Sequence, residues 1–141
     1  MIDIFIENEA HERTIVARFA FYFREKLNQC GYEEYDMDIE YNRNFSQPKR
    51  TLHFQGGTFP DVIIHKRGSN EHNLCIIEFK TGWRERNINN DLLKLKDFTS
   101  VDQEYKFGIG FLIIIDRGYV TIRQIEKGCL IRVPIRIEVP T

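Results

Sequence analysis

The chain has 141 residues, of which 42% are hydrophobic and 29% are charged, and this balance is typical of a globular protein rather than a disordered one. Its formal net charge of −1 excludes a protein that is strongly basic over its whole surface. Residues 1–47 are net acidic and residues 48–141 net basic, so a local basic surface remains compatible with phosphate binding. At this length we expect one domain covering residues 1–141.

The three cysteines, Cys30, Cys75 and Cys129, form no CxxC pair. Their odd number, together with an N-terminus that lacks a basic region followed by an apolar one, predicts reduced thiols and a cytoplasmic location. No apolar run approaches the ~18 residues of a membrane-spanning helix, so we expect no membrane partner.

The first predicted element is a helix from Glu9 to Gln29, capped by Asn8 and ended by Gly31. Its apolar residues follow the i, i+3, i+4, i+7 spacing of one buried stripe: Ile15, Val16, Phe19, Ala20, Phe23 and Leu27. The looser alternation from Met37 to Arg43 predicts a strand.

A β-hairpin follows, with strands at Asp61–Lys66 and Asn73–Lys80 and a Gly-, Ser- and Asn-rich turn between them. The segment NNDLLKLKDFTS then predicts a short amphipathic helix capped by Asn89 or Asn90.

A nearly continuous apolar run, YKFGIGFLIIID, predicts a central strand that is buried on both faces. The last segment, CLIRVPIRIEVP, alternates cleanly and predicts an edge strand, because Pro134 has no N–H to donate to a ladder. The order of helix, strand, hairpin, helix, strand and extra C-terminal strands predicts an α/β fold with a mixed β-sheet flanked by helices.

Charged residues interrupt the otherwise apolar hairpin. A turn centred between Ser69 and Asn70 places Asp61 opposite Glu78, with Lys80 on the same face two residues further along. Two carboxylates directly opposite each other repel, and a divalent cation such as Mg²⁺ or Mn²⁺ between them would relieve this. Lys80 would then orient water or offset negative charge, and the main-chain carbonyl of Phe79 is a further candidate ligand. The structural alternative is a surface ion pair between Glu78 and Lys80.

At these residues the chain resembles the PD-(D/E)XK nuclease superfamily, which has the restriction-endonuclease-like fold. Pro60-Asp61 matches the first element of the family motif, and Glu78-Phe79-Lys80 matches the second. The order of elements is also similar to the αβββαβ core of that family, over roughly residues 9–116. The resemblance implies a metal-dependent nuclease in which Asp61, Glu78 and Lys80 are catalytic.

The resemblance implies two further contributions to the site. The first helix of the family often supplies a carboxylate to the metal, and here the candidates are Glu9 and Glu12; Glu12 is favoured because its spacing places it on the buried stripe. The crossover helix often supplies a polar residue, for which Lys94 is the candidate. Basic residues in the loops around the motif are candidate phosphate contacts: Lys66, Arg67, Arg84 and Arg86, together with Lys94.

Two hypotheses follow for function. The first is an Mg²⁺- or Mn²⁺-dependent nuclease that acts on nucleic acid, with DNA expected. The second is a nucleic-acid-binding or assembly module that keeps the fold without turnover. A homodimer is a further expectation, because the alternating strand near the C-terminus could pair across a two-fold axis.

Overall fold

The structure, a computed structural model, describes residues 12–39, 49–81 and 88–139. Within these ranges the order of helices and strands agrees with the predicted one, from the first helix to the extra C-terminal strands. The elements are α1 (Glu12–Gln29), β1 (Asp36–Ile39), β2 (Val62–His65), β3 (Cys75–Thr81), α2 (Asn89–Thr99), β4 (Ile109–Asp116), β5 (Tyr119–Glu126), β6 (Cys129–Leu130) and β7 (Ile135–Glu138).

A single sheet contains all seven strands of the described residues, in the order β1-β2-β3-β4-β5-β6, with β7 also paired to β5. All neighbouring pairs are antiparallel except β3 and β4, which run parallel because α2 carries the chain back between them. The apolar run forms β4, which lies between β3 and β5, so the prediction of a central strand is confirmed. The predicted burial on both faces is wrong, because five of the eight β4 residues are only partly buried. The fold is therefore mixed α/β with a mostly antiparallel sheet.

The two helices pack on opposite faces of this sheet and create two separate cores. On one face, Ile15 and Leu27 of α1 pack against residues that include Ile64 and Phe79. On the other, which we call the α2 face, Leu95 and Phe98 of α2 pack against a second apolar set: Ile63, Ile76, Leu112 and Ile125. Since side chains alternate along a strand, each residue of β2 and β3 can be assigned to one of these faces.

Helix α1 ends where the sequence predicted. Gly31 adopts φ +89°, and the N–H of Tyr32 donates to the carbonyl of Leu27 over 2.9 Å. A left-handed glycine with such a long-range backbone bond is the Schellman arrangement, which satisfies carbonyls at a helix C-terminus. The predicted start of the helix at Asn8 and Glu9 lies outside the described residues.

The predicted cap of α2 is wrong. The helix begins at Asn89, and the residue in the capping position is Ile88, which makes no side-chain cap hydrogen bond. Ile88 already has helical dihedral angles (φ −72°, ψ −12°), and both asparagines therefore lie inside the first turn. Sequence reasoning preferred the residue type that usually caps a helix, but the chain turns into α2 one residue earlier.

The C-terminal segment is not one continuous strand. It forms β6 and β7, which both pair with β5 and are separated by residues 131–134. Pro134 lies at this break, where a residue without an N–H cannot extend a ladder. The prediction of an edge strand holds for β7. The first predicted strand begins at Asp36, and its part beyond Ile39 lies outside the described residues.

All three cysteines are free thiols, as the sequence predicted. Burial raises the pKa of the Cys75 thiol to about 12, so this group stays protonated and unreactive near neutral pH. Neither helix in the described ranges is long and apolar enough to cross a membrane.

Candidate active site

The register of β2 and β3 brings two carboxylates together at one end of the α2 face. Val62 pairs with Ile77, so Asp61, one residue before β2, comes next to Glu78. The N–H of Phe79 donates to Asp61 Oδ2 over 2.9 Å, and the N–H of Asp61 lies 3.4 Å from Glu78 Oε1. Each residue thus holds the other's segment in place, and the register predicted from the turn is confirmed.

Glu78 is the buried member of this pair, with only 3% of its surface exposed. Burial raises its pKa well above the ordinary value, and the nearby charges of Asp61 and Asp91 raise it further, while Lys94 opposes the shift. A buried carboxyl beside two other carboxylates is costly to ionise unless a cation compensates it. The pair is therefore a place where positive charge would be stabilised.

Helix α2 supplies one such positive charge. Lys94 Nζ lies 3.2 Å from Glu78 Oε1 and 3.3 Å from the carbonyl oxygen of Phe59. Only 14% of the Lys94 side chain is exposed, so this ion pair is shielded from solvent. The structure therefore brings Lys94 to the carboxylate pair, where the resemblance placed it.

Lys80 is held by a residue that sequence reasoning missed. Its Nζ lies 3.2 Å from Asp91 Oδ2 in the first turn of α2, and both side chains are largely buried. The contact is an ion pair without hydrogen-bond geometry, and Asp91 Oδ2 has no hydrogen-bond partner among the described residues. Asp91 precedes Lys94 by three residues, so helical spacing from Lys94 was the signal that could have identified it.

Hydrogen bonds hold the loop between β1 and β2 against α2 close to this site. Asp97 Oδ2 accepts hydrogen bonds from Thr51 Oγ1 (2.7 Å) and the N–H of His53 (3.0 Å), and His53 Nδ1 lies 2.8 Å from Asp97 Oδ1. Burial raises the pKa of Asp97, but the hydrogen bonds from Thr51 and His53 outweigh it and leave the pKa lowered. The loop continues to Phe59, whose carbonyl contacts Lys94, and then to Asp61.

A second polar cluster lies on the same face at the opposite end of β2. His65 Nε2 lies 2.6 Å from Asp38 Oδ2, and Arg67 binds both carboxylate oxygens of Asp38. Burial lowers the pKa of His65 even though Asp38 favours the charged form, so we assign a neutral imidazole that donates Nε2–H to the carboxylate. This arrangement supports packing rather than substrate contact for His65.

Lys49 is a buried lysine at the start of the described part of the same loop. Its Nζ lies 4.9 Å from the ring centroid of Tyr105, and only 2% of the residue is exposed. Burial lowers its pKa to about 8, opposed by Glu104 and Asp38. This contact holds the loop against Tyr105, in the segment between α2 and β4.

Of the predicted phosphate contacts that the structure describes, Lys94 lies at the site, but Lys66 and Arg67 do not. Arg67 is engaged by Asp38, and Lys66 lies over the Tyr35 ring at 5.3 Å on the other face. Arg84 and Arg86 lie outside the described residues, as does Glu9. The backbone of Glu12 begins α1, but its side chain is outside the described part, so neither helix carboxylate can be placed.

Helix α1, which begins at Glu12, nevertheless starts near the C-terminal end of β3, where Glu78 and Lys80 lie. Ile15, one turn later, lines the same cavity as Phe79 and Ile115, and the rings of Phe19 and Phe79 lie 5.0 Å apart. These contacts are all on the face opposite to Glu78 and Lys80.

Arg123 is a further cationic residue that the sequence did not single out. It lies opposite Leu112 on β4, which lies opposite Glu78 on β3, so the three form one row across the α2 face. Two strand spacings correspond to about 10 Å. Its Nε is buried and has no hydrogen-bond partner in the described residues. An unpaired buried N–H costs about 1–3 kcal/mol, and an approaching anion would relieve that cost.

The donor chemistry at Asp61 and Glu78 fits a small divalent cation. Each carboxylate uses one oxygen in the contacts above, and in the described part of the chain the other oxygen accepts no hydrogen bond. Two carboxylates with several waters are a usual donor set for Mg²⁺. Within the described ranges, no group of three or more His, Cys, Asp or Glu side chains could hold a metal ion, so ligands beyond this pair would be water, substrate or main chain.

No protein-family model matches the chain, and no curated protein is significantly similar to it. Function therefore has to be inferred from the chemistry of this site. Its components are a carboxylate pair with one buried member, two shielded lysines and an arginine with an unpaired donor. Such a set is suited to binding a cation and a polyanion side by side.

Proposed function

We propose that this protein is a metal-dependent nuclease that hydrolyses phosphodiester bonds, with DNA as the expected substrate, on a restriction-endonuclease-like fold. The observation that carries the proposal is the pairing of Asp61 with buried Glu78, beside Lys80 and Lys94, at the end of one sheet face. A buried carboxyl that lies beside Asp61 and contacts Lys94 is poorly explained by folding alone, because burying ionised groups costs several kcal/mol each.

The topology gives independent support to the resemblance in fold. The three strands β1, β2 and β3 form an antiparallel meander, and β4 then joins β3 in parallel after the crossover helix α2. Together with α1 this is an αβββαβ order, with the motif just before β2 and at the end of β3. The extra strands β5, β6 and β7 extend the sheet beyond that core.

In the proposed mechanism, Asp61 and Glu78 hold Mg²⁺ or Mn²⁺, with the carbonyl of Phe79 and Glu12 as further candidate ligands. The bound cation supplies Lewis-acid stabilisation of the phosphate oxygens. Asp91 positions the ammonium group of Lys80, which orients the attacking water and offsets negative charge that develops on the phosphate.

The same site contains cationic groups that could bind the substrate. Lys94 has Glu78 as its partner in the structure, and its ammonium group lies beside the carboxylates, where it would contact a phosphate oxygen of the substrate. Arg123 offers a donor about two strands away in the same row.

One observation favours the second candidate, a binding or assembly module without turnover. Both lysines have acidic partners in the folded chain, Lys80 with Asp91 and Lys94 with Glu78. A polar cluster that is internally paired in this way could also serve only to fix the fold. The two candidates differ in whether the carboxylate pair binds a divalent cation.

The decisive test is nicking of supercoiled plasmid in Mg²⁺ or Mn²⁺ by the parent chain, Asp61→Asn and Lys80→Met. We expect each substitution to reduce the rate by about 100-fold or more, because each removes a group that stabilises the transition state. Asp102→Asn, on an exposed turn, is the matched control and should cut like the parent. Circular dichroism would verify that all variants fold.

Calorimetric titration with Mn²⁺ separates the two candidates. The nuclease proposal expects binding by the parent and weaker binding by Asp61→Asn. A parent chain that neither cleaves plasmid, single-stranded DNA or RNA nor binds Mn²⁺ would favour the module without turnover.

A further inference from the structure

Strand β7 lies at an edge of the sheet and is exposed along its whole length. It pairs with β5, and within the described residues no strand covers its other side. All four of its residues are exposed, and the apolar Ile135 and Ile137 remain 49% and 50% exposed. An uncovered edge with apolar side chains is a template for pairing with another strand.

The hydrogen-bonding pattern shows which backbone groups of β7 face outward. The N–H of Val139 donates to the carbonyl of Gly118, so Val139 points toward β5. Because orientation alternates along an antiparallel strand, Ile137 and Ile135 point the same way, and the N–H and C=O groups of Arg136 and Glu138 face away from the sheet. Each chain therefore offers two outward donors and two outward acceptors.

Arg136 and Glu138 carry opposite charges, so the edge of β7 is complementary to the same edge of a second copy. In an antiparallel pair of β7 strands centred on Ile137, Arg136 of each copy lies opposite Glu138 of the other. Moving the centre by one residue would place Arg136 opposite Arg136, or Glu138 opposite Glu138, and like charges directly opposite are destabilising. In sequence, Pro134 and Pro140 are equally distant from Ile137, and neither has an N–H, so pairing about this centre uses every outward donor between them.

The apolar side of the strand is complementary to itself in the same register. Ile137 would face Ile137 of the second copy as a non-hydrogen-bonded pair, in which side chains approach most closely. Beside it lies a cavity of about 270 Å³ whose lining includes Ile113, Val120, Ile122 and Val139. Pairing would therefore continue the apolar surface of one copy into that of the next.

We propose that the chain forms a two-fold homodimer in which β7 pairs antiparallel with β7 of a second copy, centred on Ile137. The pairing contributes four backbone hydrogen bonds and two charge pairs between copies, and it covers the exposed isoleucines. Within one chain, Arg136 lies 3.3 Å from Glu138 and stacks over the Tyr119 ring at 3.8 Å. The two charged side chains are therefore already on one face, where the partner's charges would meet them. This dimer does not depend on the proposed nuclease activity.

Two charge reversals test the register directly. Arg136→Glu leaves two acidic residues on β7, and Glu138→Arg leaves two basic ones, so each variant alone would place like charges opposite each other. Mixed in equal amounts, however, the two variants restore an opposite charge at all four positions between copies. Neither variant regains the pair within its own chain, which separates the contact between copies from the contact within one copy.

Sedimentation equilibrium of the full chain, with light scattering after size exclusion, measures the outcome. We expect a dimer for the parent and for the control Arg132→Glu, which lies outside β7. Each single reversal should weaken self-association by about tenfold or more, and the mixture should form a dimer containing one copy of each variant. The substituted side chains are 58% and 75% exposed, so melting temperatures should change little.

Three results would overturn the proposal. One is a parent chain that stays monomeric at about 100 μM. Another is a single reversal that dimerises as well as the parent, since the contact would then lie elsewhere. The third is a mixture of folded variants that fails to associate, because the proposed register requires that it does.

Discussion

Replacing Glu78 with glutamine removes the charge of the most buried carboxyl in the candidate site while keeping its shape. The sign of the change in the free energy of unfolding follows from the raised pKa of Glu78. Because the pKa of Glu78 is raised in the folded protein, the folded state keeps a proton that the unfolded chain loses above its ordinary value of 4.5. The parent's free energy of unfolding therefore falls as pH rises from about 4.5 and levels off above the folded pKa.

The magnitude depends on the environment of the side chain. Glu78 is 3% exposed and adjoins Asp61, so its ionised form is penalised by burial and by a like charge. A neutral side chain of similar volume avoids this penalty, which is about 1.4 kcal/mol for each unit by which the folded state raises the pKa. Loss of the ion pair with Lys94 reduces this gain, so we expect about 1–2 kcal/mol at pH 8 and close to zero at pH 4.5. In a chain of this size that is a rise of about 3–8 °C in melting temperature.

Thermal unfolding in a metal-chelating buffer at pH 4.5 and pH 8 measures this difference. Glu25→Gln, on the exposed side of α1, is the matched control and should follow the parent at both pH values. The assignment of Glu78 as a costly buried charge would be refuted if Glu78→Gln were no more stable than the parent at pH 8. It would also be refuted if the substitution raised the melting temperature equally at both pH values. Adding Mn²⁺ should reverse the order at pH 8, since only the parent keeps both carboxylates.

Two further predictions concern the fold around the site. Gly31→Ala should lower the free energy of unfolding by about 1 kcal/mol, because φ +89° is strained for any residue with a Cβ; Gly56→Ala, which has open space and no positive φ, should be nearly neutral in the same urea titration. Asp97→Asn should cost about 1–2 kcal/mol at pH 7, because it weakens the hydrogen bonds that hold Thr51 and His53. Since the pKa of Asp97 is lowered, its stabilisation is present above about pH 4 and is lost as pH falls through the folded pKa; an equal cost of the substitution at pH 7 and at pH 2.5 would contradict this account.

Local patterns were sufficient to predict most of the elements. The spacing of apolar residues identified α1, and Gly31 identified its end, because both depend on the chain within a few residues. The register of β2 and β3 was also predictable, since the turn between two adjacent strands fixes which residues oppose each other. That register is what brought Asp61 next to Glu78.

Local patterns failed where two conformations were locally acceptable. Asn89 and Asn90 are good capping residues, but the chain enters α2 at Ile88. The alternating C-terminal segment suits a single long strand, yet it divides at Pro134 into two short strands that share β5 as a neighbour. For the C-terminal segment, pairing with β5 decided which residues form strands, and no local window contains that pairing.

The sequence by itself determined the carboxylate pair, the lysine beside it and the α/β order of elements, because each follows from alternation, turn chemistry and helical spacing. Only the tertiary structure decided that Asp91 and Lys94 of α2 meet Lys80 and Glu78, and that Arg123 joins the same row. The physical reason is that these contacts depend on how a helix lies on a sheet and on which strands are neighbours. Both are set by packing over the whole chain rather than by the sequence around any one residue.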